Sequence, residues 1–359
     1  MNASAALILD GRTAQAIAAG ARALRAGELL GLPTETVYGL AADADNAQAI
    51  AKIFHAKGRP SDHPLIVHVL NEASVAHFAG PVPDFAHALM QAFWPGPLTL
   101  ILPRRPGVAG AAAGGQNSIG LRCPSHPVAQ ALLLACQAIV DEAGLRQVPV
   151  WGVAAPSANQ FGRVSPTTAQ HVQGEFGADL LILDGGPCAV GIESTIIDCT
   201  RGVPVLLRPG AITPDDVLVA CGLSVRLPHE MRGPDAPAPR ASGTLESHYA
   251  PRAKVRLMNA PALQQALNVL GNELDQAQGR TPDGPGIAVY ARAPLKSRSA
   301  QVLIRRMPDD APATAQQLFA VLREFDAQGV KLIWIEIPPD APEWDGVRDR
   351  QQRASASAA

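Results

Sequence analysis

The sequence predicts an α/β protein of two domains, and three observations predict it. Short apolar runs with strand character alternate with amphipathic helical stretches along most of the chain, the pattern of a twisted mixed sheet covered by helices. A proline-rich break falls at residues 228–243, where Pro228, Pro234, Pro237 and Pro239 stand with Gly233 and Gly243, too much proline for the interior of any element. The 359 residues also exceed the ~150 of an ordinary domain by enough for two cores.

The elements follow in order. Thr13 to Ala26 is Ala-rich and closed by Gly27, so it reads as a helix, and Leu29 to Pro33 as a short buried strand. Asn46 caps a helix running to about Lys57, and Leu65 to Leu70 is a strand. A helix from Pro83 to Phe93 is closed by Trp94-Pro95-Gly96-Pro97. Strands are expected at Leu98 to Leu102 and Ser118 to Arg122, a buried helix at 128–140, a strand at 150–154 and a helix at 167–175. Further strands fall near 180–184, 194–199 and 204–208, before a helix from Pro214 to Ala220. Beyond the break, Lys254 to Met258, Ile287 to Tyr290, Val302 to Ile304 and Leu332 to Ile337 read as strands, with helices at 261–274 and 313–327 between them. The expected layout is a large domain over 1–225, a Pro/Gly-rich linker over 226–250, a smaller Rossmann-like α/β domain over 251–350 and a flexible Ser/Ala/Gln tail over 351–359.

Composition removes several function classes. Apolar residues make up 47% and charged residues 17%, with 32 Gly and 32 Pro against an ordinary combined share of roughly 12%; this is a turn-rich globular chain and not a disordered one. Thirty Lys plus Arg against 32 Asp plus Glu leave a net charge of -2, which argues against attachment to nucleic acid by bulk electrostatics and favours a small ligand. The five cysteines, at 123, 136, 188, 199 and 221, form no C-x-x-C pair, so neither a disulfide framework nor a zinc site is indicated. Met1 to Asp10 has no basic leader pattern and no run reaches the ~18 apolar residues of a spanning helix, so a cytoplasmic protein without a membrane partner is expected.

Polar clusters stand at the ends of the apolar strands, where α/β proteins place ligand groups. The first, Pro33-Thr34-Glu35-Thr36-Val37-Tyr38-Gly39, is a hydroxyl-rich turn, which is also what a plain Thr-rich β-turn looks like. In the second, Lys57 and Arg59 are stiffened by Gly58, Pro60 and Pro64 into a cationic corner suited to phosphate or carboxylate, a charged surface turn being the alternative. His68 lies between Val67 and Val69 and so faces away from them; a satisfied core histidine is the alternative there. The third group comprises Ser118 and Arg122, Ala155-Pro156-Ser157-Ala158-Asn159 with Gly162 and Ser165, Glu193-Ser194-Thr195, and Arg208-Pro209-Gly210. Arg122 and Arg208 at the ends of apolar strands are costly without an anion to bind. No GxxxxGK[ST] occurs, so a nucleotide pocket here is not a P-loop. Cys123 stands beside Arg122 with no Cys/His pair in evidence. Glu35 and Glu193 have metal-holding chemistry, but nothing places them together, and no metal site is assigned.

Taken together these groups resemble the Sua5/YrdC family of L-threonylcarbamoyladenylate synthases, in its longer Sua5 form. The matching segments are PTETVYGL at 33–40, KGRPSDHPL at 57–65 with His68, IGLRCPSHP at 119–127, APSAN at 155–159 with GRVSPT at 162–167, GIESTIID at 191–198, LLRPG at 206–210 and SHYAP at 247–251. They run from about 30 to 251, and the C-terminal segment is similar to the family's extra domain.

The resemblance implies a YrdC-like catalytic domain and an ATP-dependent reaction of L-threonine with bicarbonate, giving threonylcarbamoyl-AMP and pyrophosphate, the first step of N6-threonylcarbamoyladenosine formation in tRNA. By carry-over, Thr36, His68, Arg122, Ala155 and Ser194 are expected in a threonine pocket, with Arg122 on the carboxylate. Arg59, His63, Ser118, Ser157, Ser165, Arg208 and Tyr249 are the expected ATP contacts, and Lys57 and Arg59 are the expected catalytic residues, Lys57 adding further positive charge against phosphate. Mg2+ is expected with the nucleotide, and a tRNA threonylcarbamoyl transferase downstream; direct tRNA binding stays open. Tyr249, at the far end of the Pro-rich linker, implies that this segment folds back as a lid. Position 63 is His where the family more often has Asn, and the stretch 135–150 looks longer than in short members. The rivals are a non-catalytic RNA-binding module and carbamoyl transfer from carbamoyl phosphate; the cysteine pairs expected with the latter are missing.

Overall fold

A computed structural model of the chain describes residues 7–139, 146–231, 239–241, 243, 248–271 and 286–356. It divides into two units, one of Met1–Phe161 and Ser165–Thr244, the other of Gly162–Val164 and Leu245–Ala359.

The larger unit opens with β1 (Ile8–Asp10), α1 (Ala14–Arg25), β2 (Leu30–Leu32), β3 (Gly39–Asp43), α2 (Ala47–Lys57) and β4 (Ile66–Val69). Next come α3 (Glu72–Phe78), α4 (Asp84–Phe93), β5 (Leu98–Pro103), β6 (Ser118–Arg122), α5 (Pro127–Gln137) and β7 (Gly152–Ala154). After these follow α6 (Ala169–Phe176), β8 (Leu181–Asp184), β9 (Thr195–Asp198), β10 (Val205–Arg208) and α7 (Pro214–Cys221). The strands form one ten-stranded sheet in the order β1-β8-β2-β3-β7-β4-β6-β5-β9-β10. Its pairing is mixed: β4 runs parallel to β6, β5 antiparallel to β6, and β5 parallel to β9.

Two cores hold helices to this sheet. Leu40, Val67, Val69, Leu98, Leu100, Leu121 and Ile197 fill one of them. Leu24 of α1 and Leu132 and Leu133 of α5 pack with Leu30, Leu32, Val153 and Leu183 in the other. Each such side chain is fully buried, an effect of about 1.5–3 kcal/mol apiece. Local chemistry sets the element ends. The Asn46 side chain accepts from the amides of Gln48 and Ala49 and starts α2; Gly58, in the left-handed region at φ 59°, ends it and sends Arg59 off the helix axis. Gly39 lets β3 lie close to the 155–157 segment, because a Cβ there would stand 2.9 Å from the Ala155 methyl.

The smaller unit contains β11 (Lys254–Met258), α8 (Ala260–Leu270), β12 (Ile287–Ala291), β13 (Val302–Arg306), α9 (Ala311–Ala327), β14 (Leu332–Glu336) and α10 (Asp345–Ala356). Its four strands are all parallel, in the order β11-β14-β12-β13, the Rossmann-like arrangement the sequence predicts. Leu263 and Leu267 of α8 close one core over Ile287, Val289, Ala291 and Trp334.

The C-terminal tail expected to be flexible over 351–359 is corrected by α10, which continues to Ala356. Its Ser/Ala/Gln composition conceals a helical stripe of Val347, Arg350, Gln351 and Ala354, all buried, and Arg353 pairs with Asp349 one turn back at 2.9 Å. Residues 357–359 lie outside the described residues. Of the expected linker, Arg226 adds to the edge beside β10, its amide donating to Pro204 O and its carbonyl accepting from Leu206 N, and Pro228–Glu230 forms a single 3-10 turn. The rest of that segment lies largely outside the described residues, as do the ends of the helices expected at 128–140 and 261–274 and part of the 135–150 stretch.

Candidate active site

The site segments scattered along the sequence are stitched together by main-chain hydrogen bonds. The turn after β2 is tied to the 188–190 segment by Val190 N to Glu35 O at 2.7 Å. It is tied to the 156–166 segment by Tyr38 N to Pro166 O, Leu40 N to Pro156 O and Ala158 N to Tyr38 O, at 2.8–2.9 Å. Ala155 N donates to Ile66 O on β4, and Cys188 N to Thr167 O. Thr34 fixes the turn from inside: its hydroxyl accepts from the amides of Thr36 and Val37 and donates to Val37 O at 2.6 Å. Glu35 and Thr36 are thereby held in fixed directions.

Arg122 ends β6 in register with His68 on β4. It is 4% exposed, and three residues on two chain segments grip its guanidinium. Nη2 lies 2.6 Å from Glu35 Oε1, Nη1 donates to Thr36 Oγ1 at 2.8 Å, and Nε donates to Gly96 O at 3.3 Å. Burial first, then the Arg122 cation, pushes the His68 pKa down to about 3, so its imidazole is neutral at physiological pH. His68 Nδ1 has no hydrogen-bond partner among the described residues.

Arg208 ends β10, where the pairing with β9 shifts register between Leu206 and Arg208 and re-aims the side chain. Its Nε and Nη2 donate to Ser194 O at 3.1 and 2.9 Å, and Nη2 reaches Ser194 Oγ at 3.2 Å. The Ser194 hydroxyl is itself 2.7 Å from Thr99 Oγ1 on β5.

Lys57, the last residue of α2, points inward. Its ammonium nitrogen donates to Ser157 O at 2.6 Å and to Asn159 O. Burial, then the neighbouring Arg59, drives its pKa well below the ordinary lysine value. Arg59 follows the Gly58 cap and donates from Nη2 to Pro64 O at 2.9 Å. The His63 ring meets Phe161 edge-on at 5.7 Å; burial and then Arg59 lower its pKa against the opposing pull of Asp62. Ser165 Oγ donates to Glu193 Oε1. Ser157 bridges to Gly39, and Ser118 opens β6 four residues before Arg122, on the same face of the strand. Tyr249 belongs to the smaller unit, where its ring packs 5.4 Å from Phe319 and Arg350 lies over it.

In the larger unit, then, Lys57, Arg59, Arg122 and Arg208 are four buried basic side chains on segments whose buried acids are Glu35, Glu193 and Asp198, the last of which pairs with Arg201. Basic groups withdrawn from water in excess of their acids suit anionic ligands. Thr99 is absent from the residues the sequence singles out, its only signal being one hydroxyl within the apolar run 98–102, and Glu35, though part of the 33–40 turn, is given no role there beyond its metal-holding chemistry. Among the described residues no group of three His, Cys, Asp or Glu is placed to hold an ion.

An α/β enzyme for anionic substrates is the class this arrangement defines, and comparison with known proteins gives it a family. Residues 22–210 match the family model described as telomere recombination, and residues 215–356 match that of the threonylcarbamoyl-AMP synthase C-terminal domain. The chain is 36% identical over 351 residues to a threonylcarbamoyl-AMP synthase of Bacillus subtilis strain 168, covering 94% of this chain and 92% of that one. It is 34% identical over 334 residues to the protein of the same name from Pyrococcus abyssi, at 92% of each. The crystal structure of P. abyssi Sua5 complexed with L-threonine superposes with a TM-score of 0.78 at 32% identity, covering 95% of this chain and 94% of that one. The chain belongs to the Sua5 family of threonylcarbamoyl-AMP synthases and is an enzyme of that family.

Proposed function

We propose that the chain makes L-threonylcarbamoyl-AMP and pyrophosphate from ATP, L-threonine and bicarbonate, the first step of N6-threonylcarbamoyladenosine formation in tRNA. The observation behind this reading is the clamped Arg122, a buried guanidinium on the strand beside His68 with Thr36 against it. The threonine named in the P. abyssi structure is an amino acid whose carboxylate such a group suits.

The threonine amine attacks the bicarbonate carbon, forming an N–C bond as a C–O bond breaks, and the lost hydroxide leaves with an amine proton as water; an oxygen of the resulting N-carboxylate then attacks the α-phosphorus of ATP. The new P–O bond forms as the bond to the β-phosphate oxygen breaks, and pyrophosphate leaves with that electron pair. Both reactants are negative, so screening and alignment decide the rate more than a dedicated base does. Arg122, Thr36, His68, Ala155 and Ser194 hold threonine, the neutral His68 offering a hydrogen bond without adding charge. Arg59, His63, Ser118, Ser157, Ser165 and Arg208 hold the nucleotide. Lys57 serves them by holding the carbonyls of the 157–159 loop. Mg2+ would come with the nucleotide substrate and help screen its phosphate charge. The product passes to a tRNA threonylcarbamoyl transferase in the cytoplasm. At a net charge of -2, direct tRNA binding by this chain is not part of the reading.

The test is pyrophosphate release from Mg-ATP by purified protein, which should require both threonine and bicarbonate. Release independent of threonine, or none at all, contradicts the reading.

A further inference from the structure

We infer that Glu35 is the positioning residue that fixes Arg122 for the amino-acid carboxylate, an inference that rests on the function proposed above. Glu35 stands between two threonines in the turn after β2, and its carboxylate is 6% exposed. Each of its oxygens has one task. Oε1 lies 2.6 Å from Arg122 Nη2, and Oε2 accepts the Ser125 amide at 3.1 Å, just before α5. The carboxylate is therefore pinned on both sides before it meets the guanidinium.

Three features set it apart from an ordinary buried ion pair. First, the other groups that grip Arg122 carry no negative charge: Thr36 Oγ1 and Gly96 O are neutral acceptors. His68, in register beside it, is held neutral. A guanidinium buried this deeply without a counter-charge costs several kcal/mol, so Glu35 is what allows Arg122 to sit there as a fixed cation. Second, the three grips come from two segments on either side of the strand that carries Arg122, the 34–37 turn and the 94–97 turn, so the guanidinium is held at all three of its nitrogens. Third, Thr36 takes one N–H of Nη1, while Nη2, ion-paired with Glu35, is buried with no hydrogen-bond partner among the described residues, so both terminal nitrogens keep N–H groups for a carboxylate to take in bidentate fashion. Glu35 touches no substrate in this scheme; it acts through Arg122.

The experiment compares initial rates of threonine-dependent pyrophosphate release for wild type, Glu35→Asp and Glu35→Gln, with thermal unfolding of each. Glu35→Gln keeps the shape and an acceptor for Ser125 N but removes the charge. Its threonine KM should rise by about tenfold or more, its ATP KM should stay within about twofold, and kcat should change less than the threonine KM. Glu35→Asp keeps the charge on a shorter arm and should fall between the two, and it serves alone if the Gln variant does not fold. A threonine KM that is unchanged or lowered overturns the inference, as does a parallel rise in both KM values with a lowered melting temperature, which marks a merely structural acid. If wild type shows no threonine-dependent release, the proposed function falls and the inference with it; an active wild type with unselective variants overturns the inference alone.

Discussion

The amino group of Lys57 reaches a residue 100 positions further along the chain, donating to the main-chain oxygen of Ser157 at 2.6 Å. With its second bond, to Asn159 O, it welds the end of α2 to the loop that carries Ser157, the nucleotide contact proposed above. Lys57→Met fills similar volume but leaves two buried carbonyl groups without this donor, at roughly 1–3 kcal/mol for each group left unsatisfied. A lowered urea midpoint together with a raised ATP KM is expected. Lys57→Arg should not rescue, because a planar fork does not replace a compact ammonium between two carbonyls. A Met variant with wild-type stability and ATP kinetics would remove Lys57 from this role.

Thr99 props the Ser194 hydroxyl from the sheet, at 2.7 Å, while Arg208 holds the same residue from the other side. Thr99→Val keeps the β-branched shape and deletes the hydroxyl. Stability should fall by about 1 kcal/mol in urea unfolding, and the threonine KM should rise more than the ATP KM. Equal shifts in the two KM values would mean that Ser194 does not depend on this support.

His68 makes a pH-dependent contribution to stability whose sign follows from its depressed pKa. Between about pH 3 and the ordinary value of 6.5 the unfolded chain takes up a proton that the folded imidazole refuses. Stability is therefore fully present above 6.5 and is lost as the pH falls towards 3, by about 1.4 kcal/mol for each unit of depression traversed. His68→Gln has no proton to refuse. Its urea midpoint should fall less steeply than that of wild type between about pH 7 and pH 4; parallel curves would contradict the assignment of His68 as a buried neutral group.

Arg240 is bracketed by Gln116, whose side-chain oxygen accepts the Arg240 amide at 2.9 Å while its nitrogen donates to Arg240 O at 3.3 Å. Its guanidinium also pairs with Asp62, on the loop that carries Arg59 and His63. The pair is exposed, so Asp62→Asn should cost less than about 1 kcal/mol and matter less in high salt. Gln116→Ala removes the backbone bracket, and hydrogen exchange at the Arg240 amide should accelerate more than in Asp62→Asn. The reverse order would make the ion pair the stronger tether.

Most elements of both sheets are legible in the amino-acid order itself. The apolar runs of 98–102, 118–122 and 287–290 and the caps Asn46 and Gly58 announce their elements, because local periodicity and turn chemistry decide them. β3 carries no such signal, because Gly-Leu-Ala-Ala-Asp has no alternation and little strand preference; its pairing with β2 and β7 makes it a strand. α3 is equally quiet, since its seven residues show only two turns of pattern, although Asn71 caps it. The site's polar clusters are visible one by one, and their meeting is expected from the family resemblance. Spacing alone does not show it: nothing local in Thr36 or Arg122 states that residues 86 apart share a hydrogen bond. The support from Thr99 and the clamp by Glu35 depend on sheet order, which one sequence read by itself does not display.

The central claim is that buried basic groups of the larger unit divide the two anionic reactants between them. Calorimetric binding of threonine and of ATP to wild type, Arg122→Ala and Arg59→Ala tests it most directly. The account predicts that Arg122→Ala loses threonine while still taking ATP, and that Arg59→Ala loses ATP first. Wild-type affinities for both ligands in both variants would contradict it.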